Sequence, residues 1–216
     1  MATEHTQADP FTDFVKAIVS GDGATVAKLL DASPRLAKER AVHGATRQAP
    51  EQNFFDRILH YMYEGDTALH MAAAAFQFDI VEKLVAMGAD VRARNRRGAE
   101  PLHYAVDGGP GLPGWDPAAQ MKIVARLIRA GADPNALDKS GVAPLHHAVR
   151  NRCAGAVSAL IEGGADPSSP NGSGSTPLVL ATRNTGRGGS GSAQAKAQQQ
   201  EILRLLESRL LKSHGA

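Results

Sequence analysis

Three histidines occupy the same place in a recurring sequence motif. His70 lies in "DTALHMA", His103 in "AEPLHYA" and His146 in "VAPLHHA". Imidazole is a frequent metal ligand and general base, so three histidines in one register would suit a metal site or an acid/base array. A further copy of the motif, "STPLVLA", carries Val179 at this position.

The spacing of the copies shows whether the histidines form a metal or acid/base site or belong to a repeated structural unit. Successive motifs are 33, 43 and 33 residues apart, and a period near 33 residues is typical of a solenoid of stacked units. Equivalent helices of neighbouring units would lie about 8 to 10 Å apart, whereas a metal–nitrogen bond is about 2 Å long. We therefore interpret the motif histidines as structural. His60 and Glu64 are four residues apart, but two ligands are too few for a metal site.

Each unit contains the signals of two helices and a turn. Proline marks the first helical position in three units, and a second amphipathic run follows, for example Ile123, Val124 and Leu127. The glycine of a recurring "GAD" can end that second helix, and "DKSG" at residues 138–141 has the Asp and Gly of a type I turn. The positions that keep this phase are Leu69, Leu102, Leu145 and Leu178, Ala72, Ala105, Ala148 and Ala181, and Gly65, Gly98, Gly141 and Gly174.

This pattern resembles the ankyrin repeat, whose signature is T-P-L-H-x-A with a period of 33, and it is similar to the small stand-alone ankyrin proteins of bacteria. The resemblance implies an all-α solenoid of about five helix-turn-helix units with short β-turn fingers, in which the motif histidine makes structural hydrogen bonds. We place an N-terminal tail at residues 1–11 and repeats near 12–66, 67–99, 100–142, 143–175 and 176–216. Glu100 and Ala143 stand at positions where the signature has its helix-capping threonine.

Insertions interrupt this pattern at three places. The first extends a finger over residues 34–65, where apolar residues at 54, 55, 58, 59 and 62 have helical spacing. They predict a short helix that either covers the first repeat or forms an aromatic recognition element.

The other two insertions are loops between helices, at 107–119 and 183–195. The first loop carries Trp115, which we interpret either as an exposed anchor for a partner or as a ring folded back onto an adjacent helix. The second is rich in Gly and Ser and should be flexible. A last amphipathic helix, with Ile202, Leu203, Leu206 and Leu210 on its inner stripe, should cap the array.

Composition favours a simple interaction protein. The formal charge of +2 gives no strong overall attraction to nucleic acid, and Cys153 as the single cysteine excludes a disulfide framework. The basic "RARNRR" at 92–97 is either an ordinary solvated finger or a local patch that binds acidic surfaces such as nucleic acid, which we do not expect as the main partner. No stretch of about 18 apolar residues suggests a membrane span. We expect a cytoplasmic monomer without a cofactor.

We expect a non-enzymatic scaffold that binds a protein with an acidic, partly apolar surface. The alternative is a small enzyme or ligand-binding protein with a site between the extended first finger and the concave groove. In ankyrin repeats, positions at the finger turn and after the motif histidine commonly contact the partner. We assign the equivalent positions of each repeat in this chain as candidate contacts and add the loop tryptophan. The candidate contacts are Tyr63, Met71, Arg96, Arg97, Tyr104, Trp115, Lys139 and His147.

Overall fold

A computed structural model describes residues 9–46, 48, 51–183 and 191–214. Within these residues the chain forms five successive helix pairs and one short hairpin. The helices are α1 (Pro10–Ser20), α2 (Gly23–Ala32), α3 (Ala68–Ala74), α4 (Phe78–Ala86), α5 (Pro101–Ala105), α6 (Pro117–Arg129), α7 (Pro144–Arg150), α8 (Ala154–Glu162), α9 (Pro177–Thr182) and α10 (Ala193–His214), and the strands are β1 (Phe54–Phe55) and β2 (His60–Tyr61).

The helix pairs stack into a solenoid. The first helices pack in sequence, α1 on α3, α3 on α5, α5 on α7 and α7 on α9, while α4, α6, α8 and α10 form a second row. The predicted all-α solenoid is therefore confirmed. The first helix begins at Pro10, with Asp9 as its N-cap, two residues before the boundary that we placed from the sequence.

The motif residues start and stop the helices as predicted. Proline occupies the first position of α5, α7 and α9, where no backbone N–H is needed. The second helices end near the glycine of "GAD", which is left-handed at each site, for example φ +100° at Gly131. The alanines that recur at one position of each repeat lie inside the array: Ala72, Ala105 and Ala148 are fully buried and Ala181 nearly so.

Extended fingers connect each second helix to the next first helix. The finger turns at 95–98, 138–141 and 171–174 each close through a bond from the glycine N–H, as from Gly141 N to Asp138 O at 3.0 Å. Neighbouring fingers are also bonded to each other, since Lys139 N donates to Arg97 O at 2.9 Å and Arg96 N donates to Glu64 O at 2.9 Å. The fingers therefore form a ladder that fixes their tips relative to one another.

The helix predicted in the first finger is wrong, because residues 53–62 form a β-hairpin. Phe54 pairs with Tyr61 and Phe55 with His60, and the chain reverses at residues 56–59, where Leu59 has a φ of +47°. A ten-residue helix is marginal by itself. The two ends of this segment are held in one finger, so an antiparallel pair fits where a helix does not.

The inserted loops and the two ends of the chain are described to different extents. The loop after α5 is described, whereas residues 184–190 of the Gly/Ser-rich insertion and residues 1–8 of the tail lie outside the described residues. In α10, Ile202 and Leu206 are buried, Leu203 packs against the core and Leu210 is half-buried, as expected of a capping helix. Among the described helices, none is both long and apolar enough to cross a membrane.

Candidate partner-binding surface

The motif histidines close the first turn of their helices. His103 Nδ1 accepts from the Glu100 N–H at 3.1 Å, and its Nε2 donates to the Val142 carbonyl of the next finger at 3.1 Å. An imidazole that accepts at one nitrogen and donates at the other is neutral. Burial, with the nearby His147, lowers the pKa of His103 to about 4. His70 and His146 make the equivalent bonds, so the structural interpretation is confirmed.

The arginines around the second finger fall into two groups. Arg40, Arg92 and Arg94 each pair with a carboxylate, at distances of 3.3 Å to Asp90, 3.7 Å to Asp133 and 3.1 Å to Glu100. Arg96 and Arg97 form no ion pair with any described carboxylate. The basic sequence at 92–97 is therefore partly neutralised, and its uncompensated charge lies at the tip of the finger.

Arg96 and Arg97 both stack on one aromatic ring. Their guanidinium carbons lie 5.4 and 4.9 Å from the centroid of the Tyr63 ring, within the range of a cation–π interaction. Arg97 Nη1 donates to the Tyr63 hydroxyl at 2.9 Å, and Arg96 donates to the Ala45 carbonyl. These contacts hold both exposed guanidinium groups in place.

The hairpin extends this cluster with two more rings. Side chains alternate across a strand, so Phe54 and Tyr61 share one face of the hairpin while Phe55 and His60 share the other. Phe54 and Tyr61 are stacked with centroids 4.7 Å apart, and Tyr61 lies 6.4 Å from Tyr63. Each of the three rings is partly exposed. We call the resulting patch the aromatic–basic surface; it consists of Phe54, Tyr61, Tyr63, Arg96 and Arg97.

A small cavity lies beside this surface, where the fingers meet the first helices. Its volume is about 60 Å³. Of the residues predicted from the sequence, Tyr63, Arg97, Tyr104 and His147 line it, together with His60, Ala99, Asp107 and Asp138. Burial lowers the pKa of His147, so this imidazole is neutral at pH 7. Lys139 is exposed on the next finger.

Two of the predicted contact residues are buried, so the structure does not favour a direct contact between their side chains and a partner. Met71 has no exposed surface and Tyr104 is only 4% exposed. Tyr104 is buried because the His60 ring of the hairpin lies over it, with centroids 4.6 Å apart, and because its hydroxyl is bonded to Asp66. In a regular ankyrin repeat this position faces an open groove, but here the inserted hairpin covers it.

Trp115 folds back onto α6. Its indole Nε1 donates to Gln120 Oε1 at 3.0 Å, and Gln120 is buried, with its amide donating to the Ala105 and Gly108 carbonyls. The ring is partly buried. Of the two interpretations left open by the sequence, the structure favours the folded-back ring.

Sequence reasoning missed the residues that hold the hairpin. His60 Nε2 lies 2.8 Å from Asp107 Oδ2, 47 positions away along the chain, whereas the sequence alone pairs His60 only with Glu64, which is too few ligands for a metal site. Its alternation with the aromatic residues of 54–61 was the available signal. In the described part of the chain, no group of three or more His, Cys, Asp or Glu side chains is arranged to hold a metal ion.

Comparison with known families agrees with this geometry. A family model described as "Ankyrin repeats (3 copies)" matches residues 117–208, and one described as "Ankyrin repeat" matches residues 64–96. Together they cover more than half of the 216 residues, and the chain belongs to the ankyrin-repeat family. Such repeats are generally protein–protein interaction modules, and the family is typically non-enzymatic. No curated protein matches the chain.

Proposed function

We propose that this chain is a non-enzymatic interaction module that binds an acidic, partly apolar segment of a protein partner across the aromatic–basic surface. One observation carries the proposal. Arg96 and Arg97 are both stacked on Tyr63, and neither pairs with a carboxylate in the described part of the chain, whereas their neighbours Arg92 and Arg94 do.

The chemistry of the two arginines indicates what they bind. A guanidinium group carries five N–H donors in a planar fork that matches a carboxylate. Arg97 has one described side-chain bond, to the Tyr63 hydroxyl, and Arg96 has one, to the Ala45 carbonyl. Most of their donors are therefore available to a partner carboxylate, and their side chains lose little freedom on binding because the Tyr63 ring already holds them.

The adjoining rings indicate a partly apolar partner. Phe54 and Tyr61 offer a stacked, half-exposed pair of rings beside the two arginines. Tyrosine and arginine dominate the energetics of many interfaces because each combines a large contact area with directed hydrogen bonds. Lys139 on the next finger adds positive charge at the edge of the surface, and the buried Tyr104 packs against His60 of the hairpin.

The cavity and the nucleophiles favour a binding module over the enzyme alternative. The cavity lined by His60, Tyr104 and Asp107 holds about 60 Å³, against roughly 300 to 1,000 Å³ for small-molecule sites. A larger cavity of about 310 Å³ lies between the hairpin and α1, and its lining contains neither a histidine nor a cysteine. Both ring nitrogens of His60 already face protein oxygens, so this imidazole is not available as a base. Burial raises the pKa of the Cys153 thiol to about 12, which leaves almost no reactive thiolate at pH 7.

A double substitution tests the surface. The full chain is immobilised, bound proteins are identified, and the affinity of a purified partner is measured by calorimetry for the wild type and for Arg96→Ala with Arg97→Ala. We expect the double variant to bind at least about five-fold more weakly, the equivalent of about 1 kcal/mol, with little change in thermal stability.

The matched control removes the same charge elsewhere. Arg209→Ala with Lys212→Ala changes two exposed cations of α10 and should leave the affinity unchanged. Equal affinities for the wild type and the Arg96/Arg97 variant would place the interface on another surface. Binding of duplex DNA or RNA that weakens steeply with added salt would instead favour a nucleic-acid partner.

A further inference from the structure

The hairpin at residues 53–62 covers the groove between the fingers and the first helices. On its inner face, Phe55 packs against the core and His60 lies over the Tyr104 ring of α5 with centroids 4.6 Å apart. Met62, at its base, is buried. His60 also bonds to Asp107, just beyond the end of α5, so one side chain joins the hairpin to the third repeat.

The bonding of His60 requires a proton on both ring nitrogens. Nδ1 lies 2.7 Å from the Tyr61 carbonyl oxygen and Nε2 lies 2.8 Å from Asp107 Oδ2. A carbonyl oxygen and an ionised carboxylate can only accept hydrogen bonds. The arrangement therefore fits the charged imidazolium, and a neutral ring would place a nitrogen lone pair against an oxygen at one of the two contacts.

The groups around His60 favour this charge on balance. Burial opposes it, but the bond to Asp107, the charge of Asp107, the Tyr61 carbonyl and the charge of Asp66 outweigh burial, and the pKa of His60 is raised. Burial likewise opposes the charge of Asp107, yet the His60 bond and charge lower the pKa of this carboxyl to about 2. The remaining titratable or charged groups that face His60 from the packed elements are Tyr63, His70, Arg97, Tyr104, Asp138 and His147.

We propose that His60 makes the hairpin a pH-sensitive clamp, in which the imidazolium holds the hairpin on Asp107 and the neutral imidazole releases it. Release moves Phe54 and Tyr61 away from Tyr63 and so dismantles the aromatic–basic surface while it uncovers Tyr104. The release stands on the geometry of His60 alone; only its effect on partner binding rests on the function proposed above.

The direction of the pH dependence follows from linkage. The pKa of His60 is higher in the folded chain than its ordinary value near 6.5, so the clamp is complete below about pH 6.5 and weakens as the pH rises through the raised value. Asp107 keeps its charge down to about pH 2. The clamp is therefore strongest from roughly pH 4, above the ordinary pKa of an aspartate, to pH 6.5.

Amide hydrogen exchange on the full chain tests the clamp without a partner. The protection of the hairpin amides, above all the Met62 N–H that donates to Asn53 O, is measured from pH 5.5 to 9 after correction for intrinsic exchange rates. The pKa of His60 is measured in the same samples by NMR of the ring. We expect the protection to fall at least ten-fold across that pKa, while the amides of α7 and α8 keep theirs.

Two variants and a control sharpen the test. Asp107→Asn removes the anionic partner and should move the midpoint of release to lower pH by one unit or more. His60→Gln cannot donate two ring bonds and should give low, pH-independent protection of the hairpin. His43→Gln changes an exposed histidine and should behave as the wild type. Circular dichroism checks that each variant folds, and the amides of α7 and α8 serve as an internal reference.

The outcomes separate the clamp from the binding function. Constant hairpin protection while His60 titrates, or a pKa of His60 at or below 6.5, would overturn the clamp. If the hairpin is released but the affinity of a partner is the same at both ends of the pH range, the clamp stands and the aromatic–basic surface is not the binding site. If the Arg96/Arg97 variant loses affinity and the hairpin is never released, the aromatic–basic surface is the binding site and the clamp is wrong.

Discussion

The hydroxyl of Tyr104 donates a hydrogen bond of 2.8 Å to Asp66 Oδ2, and both side chains are buried. Asp66 also accepts from the Asn95 amide at 2.8 Å and from the Tyr63 N–H at 2.6 Å. Burial and the charge of Asp66 raise the pKa of Tyr104 well above its ordinary value, so the hydroxyl remains a donor. This network joins the finger before α3 to α5, beneath the aromatic–basic surface.

Tyr104→Phe should therefore reduce stability rather than binding. The change leaves the buried Asp66 carboxylate with one donor fewer, which costs about 1 to 3 kcal/mol of unfolding free energy, measured by urea titration. Tyr61→Phe, at a partly exposed position, is the matched control and should change stability by less than about 0.5 kcal/mol. Unchanged stability of Tyr104→Phe combined with weaker partner binding would restore Tyr104 as a contact residue.

Leu145→Ala tests the register of the fourth repeat. Leu145 is 1% exposed on α7, and truncation of a buried leucine costs about 2 to 5 kcal/mol. Leu211→Ala, at a leucine that is 75% exposed on α10, should have almost no effect. Equal denaturant midpoints for the two variants would contradict the assignment of Leu145 to the core.

His103 should make the protein less stable in mild acid. Its pKa is about 4 in the folded chain and near 6.5 in an unfolded one, so the unfolded state binds the proton first as the pH falls. The stabilisation is complete above about pH 6.5 and declines toward pH 4, by a total of roughly 3 kcal/mol at 1.36 kcal/mol per unit.

The measurement for His103 compares urea unfolding at pH 7 and pH 4.5. His103→Gln keeps an acceptor for the Glu100 N–H, since glutamine suits this helix position, but it does not titrate. The variant should lose less stability between the two pH values than the wild type does. An identical loss in both proteins would mean that other groups cause the acid destabilisation.

Trp115→Phe tests whether the tryptophan is part of the folded structure. The substitution keeps an aromatic ring but removes the donor to Gln120 Oε1, and we expect a loss of about 1 kcal/mol in unfolding followed by circular dichroism. Gln120→Met should lose more, because its buried amide also bonds to the Ala105 and Gly108 carbonyls. No change in stability for Trp115→Phe would indicate a ring that serves only external contacts.

The repeating units could be predicted because their signals are local and recur in phase. Pro144 at a first helical position, Leu145 in the core and Gly141 at a left-handed turn each depend on backbone geometry within one unit. The role of the motif histidines followed from the same period, because stacked units are too far apart to share one ion. Repetition of the pattern made each of these interpretations independent of any single residue.

The candidate site was predictable only in part. Arg96, Arg97 and Tyr63 lie at finger-turn positions that the repeat phase identifies, and the structure brings them together. Met71 and Tyr104 lie at positions of the same kind but are buried, and Tyr104 is covered by His60 of the inserted hairpin. Contact residues can be assigned from equivalent repeat positions only where the groove is open, and here the inserted hairpin folds back into the groove.

The sequence by itself determined the solenoid, since period, caps and apolar spacing act over a few residues and agree from unit to unit. The tertiary structure alone decided the fate of the insertion at residues 53–62. Its apolar spacing at 54, 55, 58, 59 and 62 is compatible with a helix, but contacts with Tyr104 and Asp107, more than 40 positions away, hold it as a hairpin. Such long-range contacts outweigh local propensity in a short segment, and they decide which rings and charges reach the surface.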